Sequence, residues 1–346
     1  MQILDSDAIH KRGFRIPSKG ETVPLSASRR EAPRALCYHE GRRKEPFMAD
    51  IQLRFHRDVL VLSSPVAPVL ARQGFDVDRD LEYANVVDPE AVRDALNLNL
   101  VAGAQCLVAA TAGITPARLA HHGMEGRAPE LAQAALATAA GLSPQHVLVE
   151  VGPCGLPLDP QSKNSLNENR DQYARAARAF EGLSFDAFLL NGFSNPTDLK
   201  CALMGIRQVS GVPAFASVDV DASGTLADGR HSLEEALDVM VEFEASVAGI
   251  QTSASLPEAC ALVKRLATTV LPVLVQLSVG KNDPKQGEPT PENPYYCPDV
   301  LVQAAAQLRR SGAQFLRATG AATPAFTGAL VAATAGLDVV RPDIEG

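Results

Sequence analysis

The residues able to do chemistry sit where apolar runs end. Glu150 stands within HVLVEVGP (146–153), Asp219 lies at the end of AFASVDV (214–220) with Asp221 just beyond it, and Arg317 stands within AQFLRATG (313–320). Charged groups at the ends of buried segments need partners, and a planar guanidinium matches a carboxylate well. An Arg317–Glu150 or Arg317–Asp219 pair would either plug a pocket or hold a carboxylated ligand. Glu150 would serve as a general base only with a raised pKa. For metal ligation the available donors are His121, His122, Cys154, Cys297 and Asp219. No pair of them has a diagnostic spacing, and adjacent residues such as His121 and His122 diverge by roughly 100° on a helix. They read as loop histidines and ordinary thiols.

Eight short apolar runs position these groups. They are VLVLSS (59–64), CLVAAT (106–111), HVLVEVGP, AFLLNG (187–192), AFASVDV, VAGIQTS (247–253), VLVQLSVG (273–280) and residues 313–318. Val, Leu and Ala without polar alternation suit parallel strands covered by helices. Helical stretches follow at 88–102, 129–140, 167–182, 196–210, 232–244, from 256, 298–311 and 324–335. Ser232 with Glu235 three residues on has the form of a capping box, and Thr323-Pro324 opens the last helix. The pattern predicts an α/β fold, a single-domain (β/α)8 barrel over residues 48–346. The rival, an open doubly wound sheet, would carry a Gly-rich phosphate turn after its first strand, whereas here that strand ends Ser63-Ser64-Pro65. In such a barrel the turns after the strands hold the chemistry; the last of them offers Thr319 and otherwise Gly and Ala.

The 346 residues are 46 % hydrophobic and only 5 % aromatic, with no Trp, so the core must be aliphatic and Ala-rich. A net charge of −8 argues against nucleic acid or anionic membrane as partner. No apolar run reaches the roughly 18 residues of a membrane span, and no secretory signal is evident. Six scattered cysteines without CxxC read as cytoplasmic thiols. Residues 1–47 differ, with ten Lys and Arg against six Asp and Glu and poor periodicity. They read as a poorly structured arm or a misassigned start before Met48. The polar loop 280–297 has the length of a lid or interaction surface, with Tyr295-Tyr296 more suited to anchoring it than to stacking on a ligand.

The landmarks AGAQCLVAAT, EVGPCG, LADGRHSLEEAL, AGIQTS and the stretch from Arg317 to Thr323-Pro324 resemble, in order and spacing, those of the homocysteine S-methyltransferase family. The family's barrel holds Zn²⁺ through three cysteines and methylates the homocysteine thiol, which the metal keeps as thiolate. The resemblance places those cysteines at Thr252, Thr319 and Gly320. A hydroxyl is a poor zinc ligand and glycine offers none, so it implies a lost metal site. The family's first-strand DGAMGT stands here as Ser63 to Pro68. Its second-strand glutamate is Val108, its acidic residue after strand four is Asn191, and the asparagine of its strand-seven motif is Ser278.

The expectation is a divergent methyltransferase-like barrel without zinc. Glu150, Asp219 and Arg317 are its catalytic candidates, and Ser63, Asn191, Thr252, Ser278, Thr319 and Gly320 would line the small-molecule site. With no DxHxxG motif, a corrinoid would have to arrive on a partner protein. The alternative is a non-catalytic scaffold bound to a corrinoid protein or a homologous catalytic subunit.

Overall fold

A computed structural model describes residues 50–280 and 285–340. The expected arm over 1–47 and the beginning of the 280–297 loop lie outside the described residues.

A 3₁₀ turn, Ile51–Arg54, leads into β1 (Leu60–Val61). Three helices follow: α1 (Ala67–Arg72), α2 (Val77–Val87) and α3 (Pro89–Val101). Then come β2 (Cys106–Ala109), α4 (Pro116–Ala120), α5 (Ala128–Ala140), β3 (His146–Val151), α6 (Lys163–Arg178), β4 (Ala187–Phe193) and α7 (Pro196–Arg207). The chain continues through β5 (Ala214–Asp219), α8 (Leu233–Glu242), β6 (Val247–Thr252), α9 (Leu256–Leu266), β7 (Val273–Val279), α10 (Pro298–Arg310), β8 (Ala313–Gly320) and α11 (Pro324–Thr334).

All eight expected strands form, and each pairs in parallel with its sequence neighbour from β2 to β8, with β8 pairing β1. The β1–β2 join is a single bridge, Leu62 to Cys106. Side chains extend it. Gln105 Oε1 accepts from the Val61 amide at 2.9 Å, and Ser63 Oγ accepts from the Val108 amide at 2.9 Å. The fold is therefore a (β/α)8 barrel, cylindrical because each right-handed crossover lays its helix on the outside.

Strand alternation divides the core in two. Val61, Leu107, Val149, Leu190, Ala216, Ile250, Val275 and Leu316 face the helices. Leu60, Leu148, Leu189, Phe215, Val247, Leu274 and Phe315 fill the cylinder. Phe55, just after the 3₁₀ turn, closes the lower end. Its ring meets Phe215 and Phe315 at centroid distances of 6.0 and 5.9 Å, within the range of favourable edge-to-face contact.

Helix starts follow local chemistry. Asp88 accepts from the Ala91 amide at 3.0 Å ahead of Pro89, and the Ser232–Glu235 capping box is made in full. Thr323 occupies the cap position of α11 but makes no side-chain cap bond. α6 begins four residues earlier than its apolar pattern suggests, because Ser162 caps it by accepting from Ser165 N at 3.3 Å. Tyr295 is buried and donates to the Ala254 carbonyl at 2.7 Å, and Tyr296 donates to the Gly287 carbonyl at 2.6 Å. Both tyrosines therefore anchor the loop before α10.

Candidate functional site

Inward-facing positions follow from the strand registers. They run Phe315, Arg317, Thr319 on β8, Leu274, Gln276, Ser278 on β7, and Phe215, Ser217, Asp219 on β5. The lowest of each triplet belongs to the apolar filling. The middle members join Glu150 of β3 and Asn191 of β4 in a polar layer across the cylinder. A register shift in β4 falls between Leu190 and Phe193, where Gly192 takes a φ of +80°. Such an irregularity re-aims a side chain beside a site.

The layer is a closed hydrogen-bonded ring. Arg317 Nη2 donates to Glu150 Oε2 at 3.0 Å, and Asn191 Nδ2 donates to Glu150 Oε1 at 2.7 Å. Gln276 Nε2 donates to Asn191 Oδ1 at 2.6 Å, and Arg317 Nη1 closes the circuit onto Gln276 Oε1 at 3.2 Å. Two spurs tie the ring to the wall: Arg317 Nε to the Ser63 carbonyl at 2.9 Å, and Gln276 Nε2 to Ser217 Oγ at 2.8 Å. Arg317 is 1 % exposed. Of the two pairings the sequence offered, Arg317–Glu150 forms; Asp219 takes no part.

One strand position above this floor opens a cleft of about 440 Å³, lined by Asp219, Gln251, Thr252, Ser278 and residues of the 220–229 loop. Asp219 Oδ1 is buried and has no hydrogen-bond partner among the described residues. Burial pushes its carboxyl up to about 6. Neighbouring Asp221 behaves oppositely. It accepts from the Ser223 hydroxyl at 2.7 Å and from the Ser223 and Thr225 amides at 2.8 and 2.9 Å, bonds that hold its carboxyl below the usual range.

The other expected residues disperse. Ser63 is spent on the β1–β2 join and Asn191 on the ring. Thr319 is buried, its hydroxyl 3.4 Å from the Leu277 carbonyl, while Gly320 is exposed at the rim. Thr252 and Ser278 do meet Asp219 in the cleft. Sequence reasoning missed Gln276, Ser217 and Gln251. Their signal was a polar residue at an inward position of an otherwise apolar strand.

Residues 64–321 match the family model described as homocysteine S-methyltransferase. The chain belongs to the homocysteine S-methyltransferase family. The fold agrees: the metallated homocysteine methyltransferase MmuM from Escherichia coli superposes with a TM-score of 0.65 at 21 % identity, covering 80 % of this chain and 96 % of that one. The oxidized and apo forms of MmuM give TM-scores of 0.65 and 0.62, each at 20 % identity over the same shares. No curated protein matches the chain significantly.

Family membership implies zinc, and the residues present do not fit it. Thr252 Oγ1 accepts from the Ala254 amide at 3.1 Å, so it serves a turn. Thr319 offers a neutral hydroxyl. Gly320 has a φ of +64°, and a Cβ there would overlap the Val279 carbonyl oxygen. The local backbone is set for glycine, not for a ligating cysteine. Among the described residues no three of His, Cys, Asp and Glu are grouped to hold a metal ion. Of the donors considered singly, His121 and His122 line one cavity with Asp78 and Glu82, whereas Cys154, Cys297 and Asp219 do not line it.

Proposed function

We propose that the protein is a methyltransferase of this family that acts on an acceptor other than a metal-held thiolate, with Asp219 taking the acceptor's proton. The observation that carries this reading is a half-buried carboxylate on the wall of an open cleft, its Oδ1 buried without a partner among the described residues and its pKa lifted to about 6. A group so tuned is mostly ionised at neutral pH yet basic enough to accept a proton. An onium donor would bring its positive charge to the same carboxylate. In the transfer the acceptor loses its proton to Asp219 and forms the new bond to carbon. The donor's S–CH3 bond breaks, and its electron pair leaves with the neutral thioether. Gln251 and Ser278 supply hydrogen-bonding groups at the cleft wall. The reading also places the protein in the cytoplasm with its cysteines as thiols.

The test uses chelator-treated protein, methyl-labelled S-methylmethionine or S-adenosylmethionine, and a deproteinised cell extract as acceptor pool. Label should move to an extract component, and D219N should lower the rate at least 100-fold. Equal rates for D219N, or transfer that requires stoichiometric zinc, would overturn the proposal. The closed Arg317 ring favours a second reading, a scaffold barrel that partners a catalytic or corrinoid protein, because the ring fills the cylinder without leaving Arg317 free. Absence of any transfer unless a corrinoid protein is added would support it.

A further inference from the structure

Among the described residues, the cleft at Asp219 is lined by two carboxylates, Asp219 and Asp221, and by no Lys, Arg or His. Asp221 is exposed and spent on its own loop, where Oδ1 accepts from the Ser223 hydroxyl and from the Ser223 and Thr225 amides, yet it keeps its negative charge. Asp219 is not spent. Neither of its carboxylate oxygens accepts a hydrogen bond from a described residue, and burial is the cause that lifts its carboxyl.

Donors for an anion are scarce in the same cleft. The amides of its loop are used inside the fold. Val220 donates to the Gln251 carbonyl at 3.0 Å, Asp221 to that of Thr225 at 2.9 Å, and Leu226 to that of His231 at 2.8 Å. Ala227 donates to the Asp219 carbonyl at 2.9 Å and Gly229 to that of Leu226 at 2.8 Å. The neighbouring cations are used as well. Arg317, in the floor, is held by Glu150, Gln276 and the Ser63 carbonyl. Arg265, which reaches the loop, gives Nε and Nη2 to Glu234 at 2.7 and 2.8 Å and Nη1 to the Ser223 carbonyl at 2.7 Å. His231 is paired with Asp228 at 2.6 Å, and Arg230 is exposed and does not line the cleft.

A half-buried carboxylate with unmatched lone pairs, in a cleft without a facing cation, favours a ligand that brings its own positive charge and donors. A ligand carboxylate would meet Asp219 with nothing to neutralise it, and two like charges in one site repel. We infer that the cleft takes an organic amine carrying no carboxylate, bound as its ammonium ion against Asp219. The amine is the acceptor in the transfer proposed above, on which this assignment rests. An ammonium offers several N–H donors, for Asp219 and for Gln251 Oε1 and Ser278 Oγ on the same wall. One proton passes from nitrogen to the Asp219 carboxylate. The nitrogen pair then forms the N–CH3 bond as the donor's S–CH3 bond breaks, and the electron pair of that bond leaves with the thioether.

The probes are n-pentylamine, norleucine and pentan-1-ol, titrated into the full chain by calorimetry at about pH 8, where alkylamines are protonated and Asp219 is ionised. Norleucine is pentylamine with a carboxylate added, and pentanol is its uncharged counterpart. Pentylamine should bind saturably and at least tenfold tighter than either. D219N, its fold checked by urea unfolding, should weaken pentylamine at least tenfold. No saturable pentylamine binding, norleucine or pentanol binding as tightly as pentylamine, or equal pentylamine affinity in D219N would each overturn the assignment. The titrations contain no methyl donor, so the two readings fail separately. Norleucine binding as tightly as pentylamine, in a protein whose D219N loses labelled-methyl transfer, removes the amine and leaves the transfer. Selective pentylamine binding with no transfer to any acceptor keeps the amine as ligand and removes the transfer.

Discussion

Replacing Arg317 by Met tests the ring directly. The substitution keeps volume and apolar contact but withdraws three donated hydrogen bonds, at 2.9, 3.0 and 3.2 Å. Glu150 is left as an uncompensated carboxylate that is only 15 % exposed, and the Ser63 carbonyl and Gln276 Oε1 each lose a donor. Removing one partner of a buried pair costs about 3–5 kcal/mol. With unfolding entropy near ~2.1 cal/mol/K per residue, that loss lowers the melting temperature of a barrel this size by roughly 6 °C. E150L should cost a similar amount by stranding the guanidinium. The double variant E150L/R317M removes both charges. It should lie well above the sum of the single losses, with a coupling of at least ~2 kcal/mol. It should not regain wild-type stability, because Asn191 and Gln276 remain half-satisfied. Urea unfolding followed by circular dichroism measures all three. An R317M variant within about 1 kcal/mol of wild type, or additive losses in the double variant, would refute the ring as a stabilising unit.

Other outcomes follow from single positions. The Asp219 carboxyl, raised from 3.8 to about 6 by burial, favours the protonated folded state, so its contribution to stability falls as pH rises from about 4 to 6. D219N should therefore stabilise the protein by ~1–2 kcal/mol at pH 8 and by almost nothing below pH 4, read from urea midpoints across pH. In the labelled-methyl assay the wild-type rate should climb with pH through about 6, and that inflection should vanish in D219N. The triple variant T252C/T319C/G320C should fail to hold stoichiometric zinc by native mass spectrometry. G320A alone should cost at least ~2 kcal/mol, because φ +64° and the Val279 carbonyl both oppose a side chain. Among the described cysteines, thiol labelling should reach Cys260 and Cys297 first. Cys106, Cys154 and Cys201 are buried, and burial pushes all three thiols up, Cys201 to about 11.

The architecture was legible because each strand is a short run of Val, Leu and Ala bounded by a turn, and most helices carry a Pro in their first turn. The paired helices α1 and α2 were not legible: VAPVLARQGFDVDRDLEYANVV mixes Pro, Gly and charge too closely for one period to stand out. That Thr252 and Thr319 are poor zinc ligands could be read from residue type alone. The reason Gly320 does not admit a cysteine could not, since it depends on a carbonyl from β7. Glu150 and Arg317 announced themselves as charges in apolar strands. Which carboxylate the arginine would choose depended on distances across the cylinder. Gln276 and Ser217 were hidden because an uncharged polar residue in a strand raises little suspicion until its inward register is known.

The join between β1 and β2 has a consequence for how the cylinder comes apart. Seven of its eight contacts are ladders of main-chain bonds, whereas this one is fastened partly by the Gln105 amide and the Ser63 hydroxyl. Side-chain fasteners carry rotamer entropy that a ladder has already surrendered. The staves should therefore part here before they part elsewhere, and the weakest line of the wall runs beside the Ser63 carbonyl that holds Arg317. A breach on that line would loosen the floor of the cleft before any other ladder yields.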